Sequence, residues 1–211
     1  MPITEPGVSI ASIPFDRGIE RFGQIQRIIF QRKYEENTDL NELDATTQDP
    51  KLKATWETLL AAEDGTKVTV SPPLSEPENE VGEARTYGGG NATINGIEIT
   101  LGKNPSPFMG KFLEVKQHVI KELQKLQGEL LSVYFVNEAG RIGMLSDGKD
   151  PVEKYKPIPI YSLFVSDKKF GNFEEPDMNE ISFVLEPNWS KFFVIVTPED
   201  FNPLHDLKNP D

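Results

Sequence analysis

The 211-residue chain contains no cysteine, which excludes disulfides, thiolate metal sites and cysteine nucleophiles. It has two histidines, His118 and His205, with neither an acid at ligand spacing nor a nucleophile-elbow serine beside them. A two-histidine metal centre would need distant segments to converge, so two ordinary surface histidines are the simpler expectation. No apolar run approaches the ~20 residues that cross a bilayer as a helix. The start, MPITEPGVSIASIPF, lacks the basic and apolar regions of a secretory signal. The expectation is a soluble protein, made in a cytoplasm, that engages no membrane. Basic residues are also scarce: 22 Lys and Arg stand against 34 Asp and Glu, a net charge of -12. Such a surface repels a phosphate backbone, so sequence-specific DNA binding is disfavoured, whereas DNA that must pass without sticking is compatible with it.

What is present is a foldable chain. Hydrophobic residues make up 37% and charged residues 27%, enough for one large domain with arms. The glycine-rich stretch RTYGGGNATINGIEITLGKN (85–104) raises the question of a phosphate cradle. That device needs a helix N-terminus and usually Gly-Lys-Ser or Gly-Lys-Thr. Here a strand-like alternation of Ile97, Ile99 and Leu101 follows the glycines, with Asn95-Gly96 as a tight-turn pair. The stretch reads as β structure.

Elsewhere the periodicity predicts two helices. Near 50–63, Leu52, Trp56, Leu59 and Leu60 form one stripe, with Asp49 as N-cap, Pro50 at the first position and Gly65 after the last turn. Near 116–127, Val119, Ile120, Leu123 and Leu126 do the same, ended by Gly128. Strands are expected in GQIQRIIFQ, KVTVS, PSPFMGKF, LLSVYFV, RIGML, PIPIYSLFV, ISFVLEP and KFFVIV, with PPLSEPENEVGE as a loop. The prolines of PIPIYSLFV place its beginning at a sheet edge. The fold class is α+β: a mostly antiparallel sandwich or open barrel with one packed helix, a second helix before it, and extended terminal arms. The division is 1–46 for an N-terminal arm and first strand, 47–197 for the sandwich, and 198–211 for a C-terminal tail.

No constellation obliges catalysis, and no cofactor or metal site is expected. FEEPDMNE and LSDGKDPVE are acid-rich, but neither has the ligand spacing of the twelve-residue calcium loop, so solvated loops are favoured. Trp56 or Trp189 with an acidic pair would suit a carbohydrate-binding or hydrolytic sandwich; large aromatics more often serve cores and interfaces. The ends are more informative. Ile10, Ile13, Phe15 and Phe22 at one end, and Phe201, Leu204 and Leu207 at the other, punctuate polar, proline-containing segments. Such anchors suit arms that order on a neighbouring subunit, since apolar burial must offset lost chain entropy; the alternative is that they wrap their own domain. Subunit-interface candidates are therefore Ile10, Ile13, Phe15, Phe22, Trp56, Phe201 and Leu204. A cytoplasmic adaptor binding a protein partner through these arms is a further possibility.

The order of PSPFMGKF, HVIKELQKLQ, LLSVYFVNEAGRIGML and a late strand pair resembles the tube-forming fold of tailed bacteriophages. RTYGGGNATINGIEI, PIPIYSLFVSDKKFG and PNWSKFFVIVTPEDFNPL are similar to structural proteins of phages and prophages of Bacteroidetes. The resemblance covers most of residues 50–205. It implies a non-enzymatic virion subunit that forms homo-oligomeric rings, stacked into a tail tube or placed at the neck, beside other tail or neck proteins. The long N-terminal region departs from a minimal tube protein and keeps the neck position open. DNA would pass through the bore without specific binding, with Glu174, Glu175, Asp177 and Glu180 as candidate bore or loop acids.

Overall fold

The computed structural model describes residues 12–14, 18, 20–36 and 39–210; the expectations for Ile10 and Phe15 fall outside them. Its centre is one antiparallel strand pair, β1 (Ile25–Arg32) and β8 (Leu131–Asn137), in register from Arg27↔Val136 to Arg32↔Leu131, with a shift before Ile25↔Asn137. Both faces of this pair are covered, and the period of two sorts its side chains. Ile28, Phe30, Val133 and Phe135 enter one core, which α2 (Gln117–Lys125) closes with Ile120 and Leu123. Ile29, Tyr134 and Val136 enter a second core, which α1 (Lys53–Ala61) closes with Trp56, Leu59 and Leu60. This explains why the run VYFV (133–136) carries large side chains without alternation: each of the four has a core to face.

At the other edge of β8 the sheet forks. Leu131–Val133 pair with β11 (Ile158–Val165), while Phe135 and Val136 pair with β9 (Ile142–Ser146). The first branch continues through β12 (Met178–Leu185) and β7 (Ser106–Leu113) to β4 (Ser75–Asn79). The second carries β13 (Phe193–Val196), β10 (Lys154–Lys156) and β2 (Leu43–Asp44). With β3 (Val68–Val70) on the free edge of β1, the sheet has eleven strands. A separate two-stranded ribbon, β5 (Ala84–Gly88) and β6 (Glu98–Lys103), stands outside it. The fold is α+β and mostly antiparallel, as the sequence pattern implies.

Several local expectations need correction. PPLSEPENEVGE is not all loop: Ser75–Asn79 forms β4 against β7, and Pro77 is tolerated because β4 is the last strand of its branch. The beginning of β11 does lie at an edge, as its prolines imply: Ile158 and Pro159 pair with β8 alone, and β12 joins on the other side only at Ile160. Asp49 does not cap α1. The helix starts at Lys53, whose N–H donates to Asp200 Oδ1 (2.9 Å), so this donor is satisfied by the far end of the chain. Gly65 does not end α1, which stops at Ala61; a Cβ at Gly65 would lie 2.1 Å from the Glu35 carbonyl oxygen.

The C-terminal segment wraps its own domain. Leu207 is buried in the α1 core, with Phe201 and Leu204 packed against it. The Asn209 amide accepts from Val70 N–H (2.8 Å) and donates to Val70 C=O (2.9 Å), extending the edge at β3. Phe22 meets Phe193 edge-on at 5.5 Å, and Asn137 Nδ2 donates to the Phe22 carbonyl. Of the expected anchors, Phe22, Phe201 and Leu204 thus spend apolar surface within the chain. Trp56 is fully buried: it stacks edge-on against Tyr134 at 5.0 Å and donates Nε1–H to Pro50 C=O (2.9 Å). A side chain closed inside its own core cannot form a subunit interface, which corrects that assignment. Ile13 stays in solvent.

Candidate assembly surface

The β5–β6 ribbon exposes a group of large apolar side chains: Tyr87, Ile94, Ile97, Ile99 and Leu101. Tyr87 lies opposite Ile99 in the ladder, and Ile97, Ile99 and Leu101 alternate with Glu98 and Thr100. One face is therefore apolar and the other polar, the pattern of a strand pair with one buried side. Yet no residue of β5 or β6 packs in either core, and Ile94 and Ile97 are 89% and 65% exposed. The tip is built locally: Thr93 Oγ1 accepts from Gly89 N–H (3.1 Å) and donates to Ile97 C=O (2.6 Å). Asn95 takes positive φ (61°) before Gly96, as the Asn-Gly pair implies. The root is tight. Gly82 N–H donates to Ser106 Oγ (3.1 Å), Asn104 N–H donates to Glu83 C=O (2.8 Å), and a Cβ on Gly82 would sit 2.0 Å from the Asn104 carbonyl oxygen.

The outer face of the first branch is mixed. Phe164, Ser182 and Met109 follow one another across β11, β12 and β7, with Phe164 and Met109 exposed. Beside them Glu180 lies opposite Lys111, which pairs with Glu76. The hydrogen bond from Lys111 to Glu76 raises the lysine pKa. Glu76, Glu78 and Glu180 line a groove of about 410 Å³ here.

The remaining candidate acids lie in the loop 166–177 between β11 and β12. Asp177 accepts Gly171 N–H (2.9 Å) and pairs with Lys168 (3.6 Å); Glu175 pairs with Lys169 (3.5 Å). The acids FEEPDMNE offers therefore do not act as one cluster: two have lysine partners, and Glu180 sits on the sheet instead. At the tip of this loop Phe173 is fully exposed and Phe170 is 80% exposed.

At the opposite end of β11 a small slot of about 70 Å³ is lined by Leu40, Leu145, Pro157 and Pro159 together with Lys33, Asn41, Ser132 and Lys156. Lys33 Nζ donates to Tyr161 Oη (3.0 Å), which raises the lysine pKa, and lies 3.9 Å from Glu186. Glu42 takes Lys154 (2.9 Å) and Lys156 (3.6 Å), and its pKa is lowered, first by the Lys154 hydrogen bond.

His118 and His205 are exposed, on α2 and in the C-terminal segment. Among the described residues, no three of His, Asp and Glu converge as a metal site. Trp56 is unavailable to a sugar, and Trp189 is held edge-on between Phe135 (6.4 Å) and Phe193 (5.6 Å). No helix among the described residues is long and apolar enough to cross a membrane.

No protein-family model matches the chain, and no curated protein matches it. Among solved structures it is similar to a chain in the tail of an empty GTA particle refined with helical C6 symmetry. That similarity has a TM-score of 0.32 at 11% identity, and spans 60% of this chain and 82% of the other. So loose a superposition carries no role from one chain to the other.

Proposed function

We propose that this chain is a non-enzymatic structural subunit of a phage-type virion tail, a tail-tube or neck-ring component that assembles with copies of itself around a DNA conduit. The observation that carries the reading is the β5–β6 ribbon, an amphipathic strand pair whose exposed apolar residues, among the described residues, belong to neither core. A contiguous exposed apolar surface of this kind marks an interaction site, and a strand pair this long has little independent stability in water. A neighbouring copy supplies the missing cover, and a face that docks on a different face of the next copy closes rings or builds stacks. The sequence resemblance to tube-forming phage proteins supports the same role, and the acidic excess suits a channel from which DNA must slide free.

The test replaces residues 85–102 by a short Gly-Ser turn and compares both proteins by native mass and negative-stain microscopy. The intact protein is expected to form rings or tubes on concentration. The variant should keep its far-UV circular dichroism and melting temperature, because the ribbon adds nothing to either core, yet remain a monomer. An intact protein that stays solitary at several hundred micromolar, or a variant that assembles unchanged, overturns the proposal.

A further inference from the structure

The ribbon and the outer face of the first branch match in width, spacing and charge. On that face Glu78, Met109, Ser182 and Phe164 stand in one row across β4, β7, β12 and β11. Four strands span about 14 Å at ~4.8 Å per step, room for two strands laid over them. Within the row Ser182 is the small residue between exposed Met109 and Phe164, and the groove of about 410 Å³ opens here. Two residues from Ser182, on the same side of β12, is Glu180. Lys111 opposite it is taken by Glu76, so three carboxylates, Glu76, Glu78 and Glu180, line the groove against one ammonium. Among the described residues neither Glu78 nor Glu180 has an ion pair of its own.

The ribbon carries the complement. Tyr87 lies on its apolar face beside Ile99, and Arg85, two residues before Tyr87, is on the same side of β5. Between residues 84 and 103 the charges are Arg85 and Lys103 against the single acid Glu98, which alternation puts on the other side from Ile99. Neither cation has an ion-pair partner among the described residues. Tyr87 to Arg85 and Ser182 to Glu180 are both steps of two residues, about 7 Å at ~3.4 Å per residue. A tyrosine seated over Ser182, between Met109 and Phe164, therefore carries its guanidinium neighbour to Glu180.

We infer that the ribbon of one copy lies in this groove of the next, with Tyr87 over Ser182 and Arg85 on Glu180. This rests on the assembly reading above and adds to it the surface that receives the ribbon. The contact is head-to-tail: ribbon and groove are different surfaces of one chain, so each copy offers one and accepts the other, the arrangement that generates rings or stacks. Tyrosine and arginine are also the residues in which interface energy tends to concentrate. Between copies that each carry a net charge of -12, a locally cationic ribbon on a locally acidic groove fixes which surfaces meet.

The absence of native cysteine makes the test clean. Ile99→Cys and Met109→Cys are made in separate full-length chains, mixed, and treated with a short bismaleimide. A cross-linked dimer is expected in the mixture and not in either variant alone. In parallel, Arg85→Glu and Glu180→Arg should each raise the concentration needed for half-assembly by about tenfold or more, since like charges set against each other at a contact cost at least one decade of affinity. Both substitutions in one chain should bring that concentration back to within about threefold of the unmodified protein, a rescue that a merely structural role for either residue would not give. All four positions are exposed, so folding is not at stake. If the unmodified protein assembles and needs its ribbon, while the mixture gives no cross-link and the paired reversal gives no rescue, this contact is refuted and the assembly reading survives. If the unmodified protein never assembles, both fall.

Discussion

Asn137 shows how much a single buried polar side chain can organise. It is fully buried, yet its amide is used on both sides: Nδ2 donates to Phe22 C=O, and Oδ1 accepts from Ala139 N–H (3.0 Å) and Arg141 N–H (2.7 Å). One residue thus shapes the β8–β9 turn and ties the segment before β1 to it. Asn137→Ala leaves buried backbone groups without partners, and chemical denaturation should show a loss of about 2–4 kcal/mol. The turn was legible in Asn137-Glu138-Ala139-Gly140, with Gly140 at positive φ (72°). The link to Phe22 was not, because nothing local marks a contact across 115 residues. Tyr134 and Gln31 repeat the lesson: Tyr134 Oη donates to Gln31 Oε1 (2.8 Å) inside the α1 core, where burial pushes the phenol pKa up, and neither residue type announces this pairing in sequence.

At the scale of elements, apolar stripes at helical spacing make both helices legible, while the central strands are legible from β-branched and aromatic residues and from the turn after LLSVYFV, since neither alternates. β4 escaped notice because its paired residues, Ser75, Glu78 and Asn79, look like loop composition; pairing with β7 alone makes them a strand. The start of α1 is hidden in the sequence for a similar reason, since the side chain that takes the Lys53 N–H is 147 positions away. The ribbon was legible as β structure, but not its isolation from the cores, which depends on where the main sheet ends. Its set rests on Gly82, where the two legs come too close for a side chain. Gly82→Ala should force them apart: two-dimensional amide NMR is expected to show shifts confined to residues near 80–86 and 98–106, and assembly should weaken while the melting temperature changes little.

For the molecule as a whole, the terminal segments are the instructive difference. The same apolar anchors that suit an arm reaching for a neighbour also suit a tail folded home, and composition cannot separate the two. Geometry does so for residues 198–210, which cap α1, fill the second core and extend the edge at β3. Apolar side chains left exposed among the described residues include those of the ribbon, Phe170 and Phe173 in the loop before β12, and Phe164 and Met109 on the sheet. Copies of a chain with net charge -12 repel one another, so association should strengthen as salt rises from about 20 mM to 150 mM, where the screening length falls to ~8 Å. Light scattering across that range checks this; weaker association with salt would mean that local ion pairs outweigh the overall repulsion.

Under the assembly role proposed above, the shared strand pair at the centre has a mechanical meaning. Because β1 and β8 serve as floor to one hydrophobic layer and ceiling to the other, neither half can melt and leave its companion standing. Thermal or pulling force meets an all-or-none body, while the projecting ribbon and loop can adjust around it, so a wall made of such bricks yields at its mortar before any brick cracks.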